Sequence, residues 1–214
     1  CYCDDHRKAW EYMLEVEPTC MTAPPSFYQK LFASIRGSMA LDPPCRQALY
    51  RWAIDTARVL ASYKLEMRPY TRGLRLRHRL TAMILKAKIM QFVGKRVRFL
   101  ISGGVALPRE IEELFYAAGV QIYQGYGLTE SASIVTINSP GNFMFGTAGT
   151  PLDQCEVRIS EQGEILARGP NMMAGYYKVR GDAIDAFDEE RWLRTGDRGV
   201  IENGFLRYLG RKTA

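Results

Sequence analysis

Apolar residues recur at helical spacing in the first half of the chain and in short runs after it. The spacing of three and four residues predicts helices over 8–16, 26–37, 42–63 and 74–92. Ser26 is a predicted N-cap and Gly37 a predicted helix end. Residues 19–23 could form a short buried strand between the first two helices. The first half is therefore predicted to be mostly helical.

The middle of the chain has a different pattern. Residues 97–101 form a short apolar run without helical period, which predicts a buried strand. A helix is predicted from Pro108 to Gly119, with acidic residues in its first turn, and a second strand over 120–123. Strand, helix and strand in this order predict a βαβ unit and a parallel sheet.

Beyond Asn138 the pattern predicts antiparallel hairpins. One joins residues 155–159 to 164–168, and the other joins 199–202 to 205–209 through Asn203-Gly204, a strong hairpin signal. The predicted fold class is therefore α/β: a parallel-sheet α/β portion with a helical excursion, followed by an antiparallel β-rich subdomain. The predicted boundaries are 1–138 for the α/β part, with a basic helical insertion at about 38–96, and 139–214 for the β-rich part.

Composition narrows the class of protein. The chain has 47% hydrophobic and 24% charged residues, as ordinary globular proteins do, and no stretch approaches the roughly 20 apolar residues of a membrane-spanning helix. Five cysteines, an odd and scattered set, favour a reducing, cytoplasmic setting over a disulfide framework. Cys1, Cys3 and His6 lie close enough in sequence for metal ligation, although a frayed end is the favoured interpretation.

Positive charge is concentrated in one segment. Residues 68–98 contain ten Lys and Arg and no Asp or Glu, within a net charge of +6. Such a cluster attracts anions, which include phospholipid headgroups, nucleic acid and cofactor phosphates. The alternative is a solvated helix face, and it is slightly favoured because no nucleic-acid motif accompanies the charge. Peripheral contact with an anionic membrane through Arg68 to Arg98 is kept as a hypothesis, and no nucleic-acid partner is expected.

Two loops follow the predicted strands at the edge where open α/β sheets bind ligands. Residues 102–108 are Gly-rich, but they match neither the dinucleotide fingerprint nor the phosphate-binding loop with its Lys. Residues 124–131 combine two glycines, an aromatic, a hydroxyl and a carboxylate, a set that could stack a base, bind phosphate and hold Mg²⁺. The alternative is an ordinary turn into a helix, with Thr129 as its N-cap.

The second loop carries a family resemblance. Tyr126-Gly127-Leu128-Thr129-Glu130 resembles the most diagnostic motif of the adenylate-forming superfamily, which includes acyl-CoA ligases, luciferases and adenylation domains of peptide synthetases. Other segments resemble the family's motifs in the family's order: 146–151, 163–170, 175–177, 192–197 and 210–212. The helical, basic excursion before Val97 is similar to one in long-chain acyl-CoA ligases, which are the nearest subclass.

The resemblance implies a role for each matching position. Gly103, Gly104 and Val105 would line the adenine with backbone, and Tyr126 would stack on it. Thr129 and Glu130 would be the catalytic pair, with Thr129 on phosphate and Glu130 on Mg²⁺. Asp197 would accept hydrogen bonds from the ribose hydroxyls, and Arg211 would reach the ribose or phosphate. The implied nucleotide-binding set is Gly103, Gly104, Val105, Gly125, Tyr126, Gly127, Thr129, Asp197 and Arg211.

The implied function is that of a fragment of an ATP-dependent long-chain fatty acid–CoA ligase, which uses ATP, Mg²⁺, a fatty acid and CoA. Alternatives are an aryl- or other acyl-CoA ligase, a carrier-protein acylating enzyme of the same superfamily, or a non-catalytic nucleotide-binding module. The family's upstream phosphate loop and C-terminal lid domain have no counterpart in the sequence, and Thr213 stands where relatives carry a hinge Asp or Lys. We therefore expect the isolated fragment to be inactive and the parent to be a cytoplasmic enzyme.

Overall fold

The computed structural model describes residues 9–66, 68–104, 106–177 and 186–212. Cys1, Cys3 and His6, for which metal ligation was the less favoured interpretation, lie outside these residues, as do Val105 and Thr213. The described residues divide into two compact units. The first comprises those of Cys1–Ser102 and Leu107–Ile122, and the second comprises Gly103–Ala106 and those of Tyr123–Ala214.

The first unit contains five helices, which confirms the helical prediction for this half. They are α1 (Ala9–Val16), α2 (Pro25–Ala40), α3 (Pro44–Leu65), α4 (Arg72–Val93) and α5 (Arg109–Ala117). The N-cap of α2 is Pro24, with no side-chain cap, so the prediction of Ser26 as N-cap is wrong. Gly37 lies inside α2 rather than at its end, because the helix continues to Ala40. The last turn contains Met39, which is buried.

Two parallel strands accompany these helices. β1 (Cys20–Ala23) pairs in parallel with β2 (Phe99–Gly103), with Cys20 opposite Phe99, so the unit contains a parallel sheet, as the predicted fold class requires. This pair is not that of the predicted βαβ unit, whose two strands flank α5. The side chains of β1 alternate between exposed and half-buried, so the expectation of a buried strand is wrong. Tyr28 of α2 is fully buried and donates its hydroxyl to the Ile101 carbonyl at 2.7 Å. The core around it includes Leu31, Ile35, Leu85, Leu100, Phe115 and Ile122.

Helix α4 buries a face that the sequence did not predict. Its buried residues are Leu74, Thr81, Leu85, Lys88, Ile89 and Val93. The apolar spacing predicts that Leu76 and Leu80 lie on the inner face of this helix, but they are 59% and 39% exposed, and Met83 is 63% exposed. Lys88 can occupy the inner face because its ammonium group donates to Asp42 Oδ2 at 2.7 Å. Among the described helices, none is long and apolar enough to span a bilayer.

The second unit is built from antiparallel strands. β3 (Gln121–Leu128), which enters this unit at Tyr123, is followed by a 3₁₀ turn (Thr129–Ser131), β4 (Ser133–Ile137) and β5 (Thr150–Pro151). β4 pairs antiparallel with both β3 and β5. A four-stranded antiparallel sheet then contains β6 (Glu156–Ile159), β7 (Glu164–Arg168), β8 (Leu193–Glu202) and β9 (Phe205–Arg211). Both predicted hairpins are confirmed, whereas β4 and β5 were not predicted.

Candidate nucleotide site

The candidate site lies in the second unit and begins on β3. Side chains of this strand alternate between half-buried and buried, so Gln124 and Tyr126 share the inner face. Tyr126 is only 7% exposed, and its ring stacks on that of Tyr208 in β9 with centroids 6.0 Å apart. No sequence pattern singled out Tyr208 beyond its place in a predicted strand. The two rings form an aromatic wall.

The hydroxyl of Tyr126 is tied to a buried acid. It donates to Asp197 Oδ2 at 2.8 Å, while Arg211 Nη1 donates to Asp197 Oδ1 at 3.2 Å. Asp197 is 3% exposed, and its backbone N–H donates to Thr195 Oγ1. Each carboxylate oxygen can accept two hydrogen bonds, so Asp197 retains acceptor capacity after these contacts. Three residues assigned from separate motifs are thus joined in one hydrogen-bonded group.

Burial governs the protonation of the Tyr126 hydroxyl. The loss of solvent around Tyr126 raises the pKa of its hydroxyl, and the neighbouring Asp197 charge raises it further. Tyr126 therefore stays a neutral donor throughout the physiological range, which suits a ring that holds a carboxylate in place.

A small cleft that is open to solvent lies beside Tyr126. It is lined by Gly104, Ala106, Gln124, Gly125, Tyr126, Gly127, Gly146, Thr147, Ala148 and Tyr208. Small residues dominate the lining, so a planar ligand could approach the backbone closely. The structure thus brings Gly104, Gly125, Tyr126 and Gly127 of the predicted set together at the cleft. Gly103 ends β2 next to Gly104 and is not among the lining residues.

Gly127 is required for the local chain path. A Cβ atom at this position would lie 1.5 Å from the Ser133 carbonyl oxygen and 2.8 Å from the Ile134 Cα. The β3–β4 register shifts between Tyr126 and Gly127, which brings the two strands this close. A side chain at this position would therefore force the strands apart.

The predicted catalytic pair lies in the turn that follows β3. Thr129 is exposed, and Glu130 is partly buried with its Oε1 accepting from the Tyr176 hydroxyl at 2.7 Å. This hydrogen bond, with help from the Arg211 charge, lowers the pKa of Glu130. The Met173 N–H donates to the Glu130 carbonyl at 2.7 Å. The turn is a single 3₁₀ turn, so the alternative of Thr129 capping a longer helix is wrong.

A second tether holds the same turn. Asn171 Nδ2 donates to the carbonyl oxygens of Ser131 and Ile134 at 2.9 and 3.1 Å. The Ser131 hydroxyl links the Leu128 backbone to the Ser133 carbonyl. Asn171 and Tyr176 were not assigned roles from the sequence, although both lie in or beside segments that carry the resemblance.

The described residues fit Mg²⁺ only as an ion that is also bound to a nucleotide. Among the described residues, no group of three or more His, Cys, Asp or Glu could enclose a metal ion. Glu130 offers a single carboxylate, of which Oε1 takes the Tyr176 hydroxyl. Mg²⁺ in nucleotide enzymes is commonly held by one or two carboxylates, with phosphate and water oxygens completing the shell. Glu130 therefore fits as a lone protein ligand to a nucleotide-bound Mg²⁺.

An α/β part followed by an antiparallel sheet is the architecture of the N-terminal domain of adenylate-forming enzymes. The structure of O-succinylbenzoate coenzyme A synthetase (MenE) from Bacillus subtilis in complex with AMP matches 61% of this chain and 30% of its own, with a TM-score of 0.52 and 33% identity. Another structure of that enzyme, in complex with ATP and a magnesium ion, matches 68% of this chain and 35% of its own at 28% identity and the same TM-score. The fold is thus that of the adenylate-forming class.

The family model of the AMP-binding enzymes matches residues 2–177. The chain therefore belongs to the AMP-binding enzyme family. A long-chain-fatty-acid–CoA ligase of Mycobacterium bovis, FadD15, is 34% identical over 140 residues, which cover 65% of this chain and 23% of that protein. Long chain acyl-CoA synthetase 6, a peroxisomal protein of Arabidopsis thaliana, is 26% identical over 227 residues, 99% of this chain and 31% of the relative. The chain spans about a third or less of the length of these relatives.

Proposed function

We propose that the chain is the adenine- and ribose-binding portion of an ATP-dependent long-chain fatty acid–CoA ligase. The observation that supports this most is the hydrogen-bonded Tyr126–Asp197–Arg211 group beside the Gly-lined cleft. A base fits a cleft with an aromatic wall, and a carboxylate with free acceptor capacity suits the vicinal hydroxyls of ribose. Arg211, with a side chain that is 69% exposed, remains available to phosphate or ribose.

The proposed parent reaction has two steps. The fatty acid carboxylate attacks the α-phosphorus of ATP, the bond to pyrophosphate breaks, and an acyl-adenylate forms. The thiol of CoA then attacks the acyl carbonyl, loses its proton, and releases AMP. The residues of this chain bind and orient the nucleotide, so their contribution is positioning and neutralisation of phosphate charge. Thr129 would hold phosphate, and Glu130 would hold Mg²⁺, which supplies further charge neutralisation when bound.

Nucleotide binding to the chain tests this proposal. Isothermal titration calorimetry should detect Mg²⁺-dependent ATP binding, and Asp197→Ala should weaken it by about tenfold or more, as expected for a lost hydrogen bond to a charged group. Asp153→Ala, which removes an exposed acid from the same unit, should leave affinity unchanged. Equal affinities in all three proteins would refute the assignment. A pyrophosphate-release assay with palmitate should show no turnover by the chain alone.

The acid substrate has a second candidate. The relatives named above are long-chain ligases, but one of the matching solved structures is MenE, which is named for o-succinylbenzoate, an aromatic acid. An aryl- or carrier-protein-directed enzyme is therefore the alternative within the family. Assays of the full-length protein with acids of graded length and with o-succinylbenzoate, using CoA or a carrier protein as acceptor, separate these. Preference for palmitate with CoA is the result that we expect.

The exposed face of α4 supports peripheral contact with an anionic membrane. At 100° per residue, Leu76, Leu80 and Met83 form one exposed apolar stripe. Exposed basic residues border one side of it: Arg72, Arg75, Arg79 and Lys86. Among the described residues none of these four forms an ion pair. An apolar stripe with a basic border is the pattern of helices that lie in a membrane interface.

Vesicle co-sedimentation tests this contact. The chain should bind vesicles that contain phosphatidylserine more than neutral ones, and high salt should weaken the binding. Arg75→Glu with Arg79→Glu should abolish it, and Met83→Ser should reduce it at any salt concentration. Arg207→Glu, a single charge reversal in the other unit, serves as the control. Binding that ignores lipid charge and salt would refute the proposal.

A further inference from the structure

Glu164 is a buried acid outside the predicted site. It begins β7, is 8% exposed, and uses its two carboxylate oxygens on different partners. Oε1 accepts from the Gly196 backbone N–H at 2.9 Å, and Oε2 accepts from the Lys212 ammonium group at 3.1 Å. A buried carboxylate is costly unless it is paired and hydrogen-bonded, and these two contacts meet that requirement.

Both partners of Glu164 are neighbours of residues in the candidate site. Gly196 directly precedes Asp197, and Lys212 directly follows Arg211. The Lys212 backbone N–H also donates to the Gly196 carbonyl at 2.8 Å. One side chain thus fastens the two backbone segments from which Asp197 and Arg211 project.

The β8–β9 ladder is irregular next to this contact. The β8–β9 register shifts between Arg198 and Gly199, and the Asp197–Arg211 pair lies beyond that irregularity. Gly196 has φ of +71°, a conformation that suits glycine and turns the chain just before Asp197. The ladder thus pairs Asp197 with Arg211 at its end, past an irregularity, and Glu164 adds a contact to each of the two strands there.

We propose that Glu164 is a positioning residue for nucleotide binding, which holds Asp197 and Arg211 in register through Gly196 and Lys212 without touching the ligand. This inference rests on the proposed function, because it assigns the ribose contact to Asp197. In Glu164→Ala the Asp197 carboxylate is still present, but the orientation of its side chain should vary. Glu164→Gln keeps an acceptor for the Gly196 N–H and loses the ion pair, as Lys212→Met does. These two variants should show similar, intermediate effects.

The first measurement compares AMP with 2′,3′-dideoxy-AMP by calorimetry. Wild type should prefer AMP, and Glu164→Ala should reduce that preference about tenfold, the equivalent of one hydrogen bond to a charged group. Glu202→Gln is the matched control, because it breaks a Glu–Arg pair at the far end of the same hairpin, where Arg207 lies 2.8 Å away. A merely structural role would weaken both ligands equally in Glu164→Ala, and that result would overturn the inference.

The second measurement needs no nucleotide. Amide hydrogen exchange at Gly196 and Lys212 should be faster in Glu164→Ala than in wild type and unchanged in Glu202→Gln. Unchanged protection in Glu164→Ala would overturn the inference whatever the ligand data show. A wild-type chain that does not distinguish the two nucleotides would refute the proposed ribose contact, whereas a preference that survives Glu164→Ala would refute the role of Glu164 alone. If Glu164→Ala does not fold, Glu164→Gln and Lys212→Met give the same comparison.

Discussion

Removal of the Tyr126 hydroxyl isolates the hydrogen bond at the centre of the site. In Tyr126→Phe the ring keeps its stack on Tyr208, but Asp197 loses the donor 2.8 Å from its Oδ2. Asp197 has a side chain that is 5% exposed, so water does not readily replace the donor. A hydrogen bond to a charged group contributes about 1.5–3 kcal/mol, and the loss should lower the free energy of unfolding by that amount. For a chain of this size the melting temperature should fall by about 3–12 °C.

Thermal and urea unfolding followed by circular dichroism measure this effect. Tyr208→Phe is the control, because among the described contacts its hydroxyl forms no hydrogen bond, and its stability should change by less than about 0.5 kcal/mol. Since burial raises the pKa of Tyr126 above its ordinary value of 10.0, its contribution is complete below pH 10 and is lost as the pH rises further. The difference between wild type and Tyr126→Phe should therefore narrow above pH 10. Equal stability of the two phenylalanine variants at neutral pH would refute the reasoning.

Three further predictions concern other contacts. Tyr176→Phe removes the hydrogen bond that lowers the pKa of Glu130. An NMR titration should therefore show that the pKa of Glu130 has risen toward its ordinary value of 4.5, and an unchanged pKa would contradict the assigned contact. Gly127→Ala should lower the free energy of unfolding by more than about 3 kcal/mol or prevent folding, because its Cβ would meet the Ser133 carbonyl. In the same unfolding assay, Gly37→Ala in the open interior of α2 should raise the free energy of unfolding by about 0.4–1 kcal/mol. Lys88→Met removes the main cause of the lowered pKa of Asp42, so that pKa should rise toward 3.8. When the pH falls through the folded-state pKa of Asp42, this variant should therefore lose less stability than wild type does.

The sequence predicted the elements well where local signals are strong. The helical period located four of the five described helices, Pro108 and the acidic first turn located α5, and Asn203-Gly204 located the β8–β9 hairpin. It failed where tertiary packing decides. Helix α4 buries Lys88 because Asp42 is there to pair with it, and a pattern that counts only apolar residues cannot anticipate that. The short β5, two residues long, is defined by its partner β4 rather than by its own composition.

For the site, motifs supplied residue identities but not their contacts. The resemblance assigned Tyr126, Asp197 and Arg211 to one nucleotide, and the structure adds that they bond to one another. Tyr208 and Glu164 escaped prediction because their importance depends on the pairing of β7, β8 and β9, which single-sequence patterns do not specify. The roles of Thr129 in phosphate binding and of Glu130 in Mg²⁺ binding stay predictions.

The central claim is that the Gly-lined cleft and Asp197 bind an adenine nucleotide. The most direct test is a titration of the isotopically labelled chain with AMP, followed by backbone amide NMR. The account predicts saturable shifts at Gly104, Gly125 and Asp197 that are lost in Asp197→Ala, with the amides of α4 unaffected. Shifts that are absent, or that cluster on α4 and leave the cleft unchanged, would contradict it.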